Sequence, residues 1–159
     1  MLAGMERARQ ARKAAGGDPE TLQFGAYLNI AAHENPALAR QAALGSVGIV
    51  AHFSGMGKSA LHQLSPGDRE VVMALTRDYQ LDNHGDVRGA HIEHLSDEFI
   101  ARFAIVGTPA RCADRLGRLL DEVPLARVVV MSNSRGVDPT VLEEVSATVS
   151  EEVLPAIRG

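Results

Sequence analysis

Apolar positions along this chain fall into two kinds of pattern. Three segments repeat at steps of three and four: Leu38, Ala42, Gly45 and Ile49; Cys112, Leu116, Leu119 and Val123; and Val141, Val145, Val149 and Val153, with Leu154 and Ile157 closing the last stripe. Such steps place each set on one face of a helix. Val71, Val72, Leu75 and Tyr79 predict a further, shorter helix. Two other segments, "LQFGAYLNIAA" (22–32) and "ARVVVMS" (126–132), are short and almost continuously apolar. Runs of that kind suit strands whose two faces are both covered by helices, as in parallel sheets.

Proline sharpens these boundaries. Of seven prolines, five follow a helix-capping residue directly: Asp18-Pro19, Asn35-Pro36, Ser65-Pro66, Thr108-Pro109 and Asp138-Pro139. A capping side chain accepts from an orphan amide, and proline at the first helical position gives up an N–H that had no partner. Each pair predicts a helix start, except Asp18-Pro19, where the apolar run that follows at once predicts a turn. Each predicted strand then leads through a short polar loop into a capped helix, "HENP" after the first and "NSRGVDP" after the second. That is a β-loop-α unit met twice. The expectation is one helix-rich α/β domain over 1–159, with strands at about 22–33 and 126–132 and a final helix at about 139–157. Between the strands, about 53–103 reads as a helical insertion carrying the polar stretch "LDNHGDVRGAHIEHLS" (81–96). Two strands alone would leave open edges, so the sequence predicts association, as a homo-oligomer or with a partner subunit, or membership of a larger sheet.

Composition narrows the functional classes. The chain has 159 residues, 45% of them hydrophobic and 23% charged, the balance of a folded globular protein. The net charge of −4 and the absence of a basic stripe interleaved with aromatics argue against a nucleic-acid partner. The densest basic stretch, "ERARQARK" (6–13), reads as the wet face of a helix. Cys112 is the single cysteine, so no intrachain disulfide can form; its register with Leu116 and Leu119 places it in the core. No stretch reaches membrane-spanning length and the first residues lack the apolar run of a signal peptide, which predicts a cytoplasmic protein with no membrane partner.

Three groups of residues invite a chemical reading. "AHFSGMGKSALH" (51–62) contains Gly57-Lys58-Ser59, the end of a phosphate cradle. The cradle requires glycine five residues before Gly57, between a strand and a helix; here that residue is His52, and "ARQAALGSVGIVAHF" before it is helix-patterned. The glycines are better read as ending a helix, with Gly55 or Gly57 at positive φ. His91 and His94, at i, i+3, could share a helix face, but Glu93 between them would point away and His84 or Asp86 would have to reach across a loop. A metal site needs a third protein ligand, and the expectation is a solvated polar helix and no metal. The third group lies at the carboxyl ends of the two strands, where ligands of parallel α/β folds bind. Asn29 and His33 end the first strand, and Ser132, Asn133, Ser134 and Arg135 follow the second, offering hydroxyl, amide and guanidinium groups to a polar or anionic ligand. The alternative for Asn133 and Ser134 is that they satisfy the loop backbone. No residue is identified as catalytic.

"FAIVGTPARCADRLGRLLDEVPLARVVVMS" (103–132), followed by "VLEEVSATVSEEVLPAIRG" (141–159), resembles the C-terminal part of the bacterial luciferase-like monooxygenase family. The residues that carry the likeness are Phe103, Gly107-Thr108-Pro109, Val128-Val129-Val130 and Val153-Leu154-Pro155-Ala156. Upstream, "LQFGAYLNIAAHENPALAR" and "AHFSGMGKSA" are similar to the seventh-strand region and following insertion of deazaflavin-type members. The resemblance implies the C-terminal part of a (β/α)8 TIM barrel, with the two strands as its seventh and eighth. It implies an oxidoreductase using FMN or the deazaflavin coenzyme on a small-molecule substrate, much of the flavin contact coming from earlier strands. It also adds Ser54, Met56 and His84 of the insertion to the candidate substrate-side residues. A non-catalytic partial barrel that pairs its strand edges with another chain is the competing expectation.

Overall fold

A computed structural model describes residues 1–57, 61–131 and 134–157. Lys58 and Ser59 of the cradle-like stretch, and the candidate residues Ser132 and Asn133, lie outside the described residues. Helix α1 (Leu2–Ala14) and a single 3-10 turn (Pro19–Thr21) precede strand β1 (Gly25–Ala32). Helix α2 (Pro36–Met56), helix α3 (Pro66–Asp78), two 3-10 turns (Leu81–Asn83 and Ala90–His94) and helix α4 (Asp97–Phe103) follow. Strand β2 (Ala104–Gly107), helix α5 (Pro109–Glu122), strand β3 (Arg127–Met131) and helix α6 (Pro139–Thr148) complete the order. Helix α6 runs on as a π-helical turn (Val149–Val153) and a last α-helical turn (Leu154–Ala156). The wide turn sits against Pro155, which has no N–H and whose ring displaces the carbonyl four residues back.

All five cap-proline pairs open a helical turn. Asn35, Ser65 and Asp138 accept from backbone amides of the first turn as caps should, and Asp18 does the same for its single 3-10 turn. Thr108 is the exception, because its side chain makes no capping bond at the start of α5. The glycines at the end of α2 depart from expectation. Gly57 is extended at φ −104° and Gly55 stays helical. Space is the reason for Gly55: a Cβ there would come within 2.5 Å of the Thr76 hydroxyl and 2.9 Å of Val72 on α3.

The described residues form a three-stranded parallel sheet in the order β2-β1-β3, where the sequence predicted two strands. The extra strand is "AIVG", four residues for which the sequence predicted no strand. It pairs Asn29 with Ala104 and Ala32 with Gly107, and so covers only the C-terminal half of β1 on that side. On the other side β1 pairs with β3 from Gly25 with Arg127 to Asn29 with Met131.

Helices cover both sheet faces, as the continuous apolar runs required. One face carries Leu28, Ile30, Ala32, Ile105 and Val130, packed on Cys112 and Leu116 of α5 and on Val149 and Val153 of the last helix. The other face carries Ala31, Ala104 and Val106, packed beneath α2 and α4 with Val47, Phe99 and Ile100. That second covering stops halfway along the strands. Tyr27 is 73% exposed and its neighbour Val129 37% exposed, so the N-terminal half of this face is open. Among the described residues no helix is long and apolar enough to cross a membrane.

Candidate functional site

Helix α2 is built for close approach. Its buried side consists largely of Ala39, Ala42, Ala43, Gly45, Ser46, Gly48 and Ala51. Two polar loops use that surface, one after β3 and one between the 3-10 turns. The Ser134 hydroxyl donates to the Ala42 carbonyl at 2.5 Å and accepts from the Gly45 amide at 2.9 Å. A Cβ at Gly45 would lie 2.1 Å from the Gly85 carbonyl oxygen, so glycine is required there. The two loops are also joined to each other: the Arg135 amide donates to the Gly85 carbonyl at 2.7 Å, and the Val87 amide to the Arg135 carbonyl at 3.0 Å.

Asp86 braces this clasp. It is buried, accepts from the Arg88 amide and from the Arg88 guanidinium, and sits against Gly136, where a Cβ would come within 2.7 Å of its Oδ1. Those hydrogen bonds from Arg88 hold its carboxyl well below the usual carboxylate range despite burial. Gly85 and Gly136 both take positive φ, 70° and 79°, which lets the two loops turn back on each other. The result is an open cleft of about 520 Å³ lined by His84, Gly85, Arg135, Gly136 and the apolar Ile49, Val137 and Leu142. Its size falls in the usual range for ligand pockets, roughly 300–1,000 Å³.

The structure therefore brings together three of the sequence-predicted residues, His84, Ser134 and Arg135. Ser134 spends its hydroxyl on the α2 backbone. His84 has Nδ1 in a 2.6 Å hydrogen bond with the Tyr79 hydroxyl. Arg135 is exposed, and only its Nη1 is engaged, at 3.3 Å from the Asp82 carbonyl and 3.4 Å from that of His84. Among the described residues of the cleft lining it supplies the guanidinium charge.

Other candidates lie apart from the cleft lining. Asn29 is buried within the sheet, and its Oδ1 has no hydrogen-bond partner among the described residues. His33 accepts from the Asn35 amide at Nδ1, which leaves the proton on Nε2 to donate to Glu144 Oε2 at 3.1 Å. That pair fastens the end of β1 to α6. Ser54 donates back to the Val50 carbonyl within α2, and Met56 is 68% exposed at the end of that helix.

The expected solvated helix at His91 and His94 is corrected. His91 is fully buried, because Gly48 and Gly89 leave room for its ring and Tyr79 packs at 4.6 Å from it. Among the described residues neither of its ring nitrogens has a partner, and burial followed by the nearby His52, His84 and His94 pushes its pKa down. His94 instead pairs with Asp78 at 2.7 Å. Among the described residues no three His, Cys, Asp or Glu side chains are placed to hold a metal. Ile49, Val137, Leu142 and the two positive-φ glycines were not singled out from sequence. Glycines within polar loops were the available signal; nothing local marked Glu144 as the partner of His33.

The cleft lies beside the carboxyl end of a parallel strand, the place where ligands of parallel α/β folds bind. The sequence matches the family model for luciferase-like monooxygenase over residues 2–123, and the chain belongs to that family. The matched span runs from α1 through α5; β3 and α6 follow it. No individual curated protein matches the chain.

Proposed function

We propose that this chain is an oxidoreductase domain of the luciferase-like class that takes a flavin-type cofactor, FMN or the deazaflavin coenzyme, against the cleft beside β3. The family match carries this reading. The cleft suits such a group: Ile49, Val137 and Leu142 offer apolar surface to a planar ring, and Arg135 and His84 stand at its polar margin. When bound, the flavin would supply hydride transfer or oxygen activation, while the protein positions it and a small-molecule substrate and limits access of water. In this reading β1 and β3 are the adjacent seventh and eighth strands of a (β/α)8 barrel. Their direct parallel pairing supports that assignment, as does the bare half-face at Tyr27 and Val129, which would look into the barrel. β2 follows the insertion and lies along the edge of β1 that a preceding barrel strand would approach. The cytoplasm is the proposed compartment.

Fluorescence titration of FMN and of the deazaflavin coenzyme tests the proposal. The expected result is saturable quenching of one of them, weakened about tenfold in Arg135→Ala, the loss of one charge-assisted contact. A folded chain that quenches neither contradicts it.

The exposed Tyr27 and Val129 favour a second reading, a partial barrel that associates with a second copy or a partner subunit through its bare face and open edges. The mass of the purified chain in solution separates the two: a monomer that binds flavin sinks the second reading, and a flavin-free dimer sinks the first.

A further inference from the structure

A second cleft opens at the opposite edge of the sheet, between α2, α4 and α5 at the carboxyl end of β2. Its volume is about 190 Å³, and Arg40, Arg111 and Arg115 all line it, with Asp97 as the one acidic residue of the lining. Arg40 is held by Asp97 at 2.6 Å and by the Leu95 carbonyl at 3.1 Å. Arg115 donates to the Ala101 carbonyl and has no carboxylate partner among the described residues. Arg111 lies folded over Gly107, where a Cβ would come within 3.2 Å of its Cδ, and among the described residues it has neither hydrogen bond nor ion pair. Three guanidiniums thus face one carboxylate, and two positive charges are left uncompensated around a single opening.

We propose that this cleft binds a phosphate dianion, free or as a monoester, between Arg111 and Arg115, with Arg40 as the third contact. The charge balance matches a dianion, and guanidinium forks match the geometry of phosphate oxygens. The volume lies below the roughly 300 Å³ at which pockets hold a whole drug-sized ligand, so it admits a phosphate group and leaves the rest of an ester outside. Burial and the neighbouring Arg111 both lower the Arg115 pKa, the electrostatic cost of crowding cations that an anion would relieve. The uncapped amides at the start of α5 add to the same potential without being needed for it. The site is independent of the flavin cleft, which lies beyond β3.

Calorimetric titration with inorganic phosphate and with glycerol 3-phosphate, in a mildly alkaline chloride buffer above the second ionisation of both ligands, tests this. Saturable binding of either is expected, weakened about tenfold in Arg111→Gln and unchanged in Arg118→Gln, a surface variant of the same helix already paired with Asp114. The tighter of the two ligands identifies the source. Because Arg111 makes no hydrogen bond or ion pair among the described residues, that variant is expected to keep its fold, which thermal melting checks. Equal weakening in both variants would reduce the effect to diffuse surface charge and overturn the site. So would the absence of binding heat, or binding of succinate as tight as that of phosphate.

Discussion

The two faces of the sheet are packed in opposite ways. Beneath α5 and the last helix, Ile30, Ile105, Cys112, Leu116, Val149 and Val153 form a dry aliphatic layer. Beneath α2, the layer admits the Ser134 hydroxyl, the carbonyl of Gly85 and the ring of His91, because α2 presents alanine, serine and glycine. The first face is filled by apolar side chains alone. The second gives up side-chain volume so that loops carrying polar groups can be seated against a helix backbone. Bulk and placement are divided between two surfaces of one small sheet.

The largest effect expected from breaking this division is on the aliphatic side. Leu116→Ala, at a fully buried position, should cost about 2–5 kcal/mol and lower the denaturant midpoint accordingly. On the other side, Ser134→Ala leaves the Gly45 amide without its hydroxyl acceptor and should cost about 1–3 kcal/mol. Gly45→Ala should cost about as much by overpacking, since its new methyl meets Gly85 backbone. The two changes break the same clasp, so the double variant should lose less than the sum of the single losses, which a double-mutant cycle in urea would measure.

A smaller effect separates the faces by pH. His91 is buried neutral with its pKa lowered, so below its ordinary value of 6.5 the unfolded chain binds a proton that the folded chain refuses. Stability is therefore retained at neutral pH and lost as pH falls through that range. Melting temperatures at successive pH values should show the decline, and His91→Leu should flatten it. If the variant declines as steeply as the parent, His91 is not its source. The smallest effect is on Cys112, whose thiol burial pushes up to about 11. It should react with a thiol reagent only on unfolding, and rapid labelling of the native chain would show the aliphatic layer to be open.

What could be read from sequence follows from what each residue does locally. Cap-proline pairs act within one turn, so the helix starts were legible at Asn35, Ser65, Thr108 and Asp138. Strands β1 and β3 announced themselves by continuous apolar runs. Strand β2 did not, since "AIVG" is too short for any period and is strand only because β1 offers it an edge. The candidate site was legible in part. Carboxyl-end logic pointed to Ser134 and Arg135, and the insertion contributed His84. Ser134 proved to hold backbone, and the burial of His91 was illegible because it depends on glycines 43 residues upstream and two residues away meeting around one ring. Such meetings arise from tertiary packing and leave no local mark.

The central claim is that the cleft joined by Gly85, Arg135 and Gly136 is where a flavin-type cofactor docks. Hydrogen exchange with and without FMN or the deazaflavin coenzyme measures this most directly. The account predicts slowed exchange in 82–88 and 134–142, with the segments of the aliphatic layer, 112–120 and 149–153, unchanged. Protection confined to other segments, or none at saturating cofactor, would contradict it.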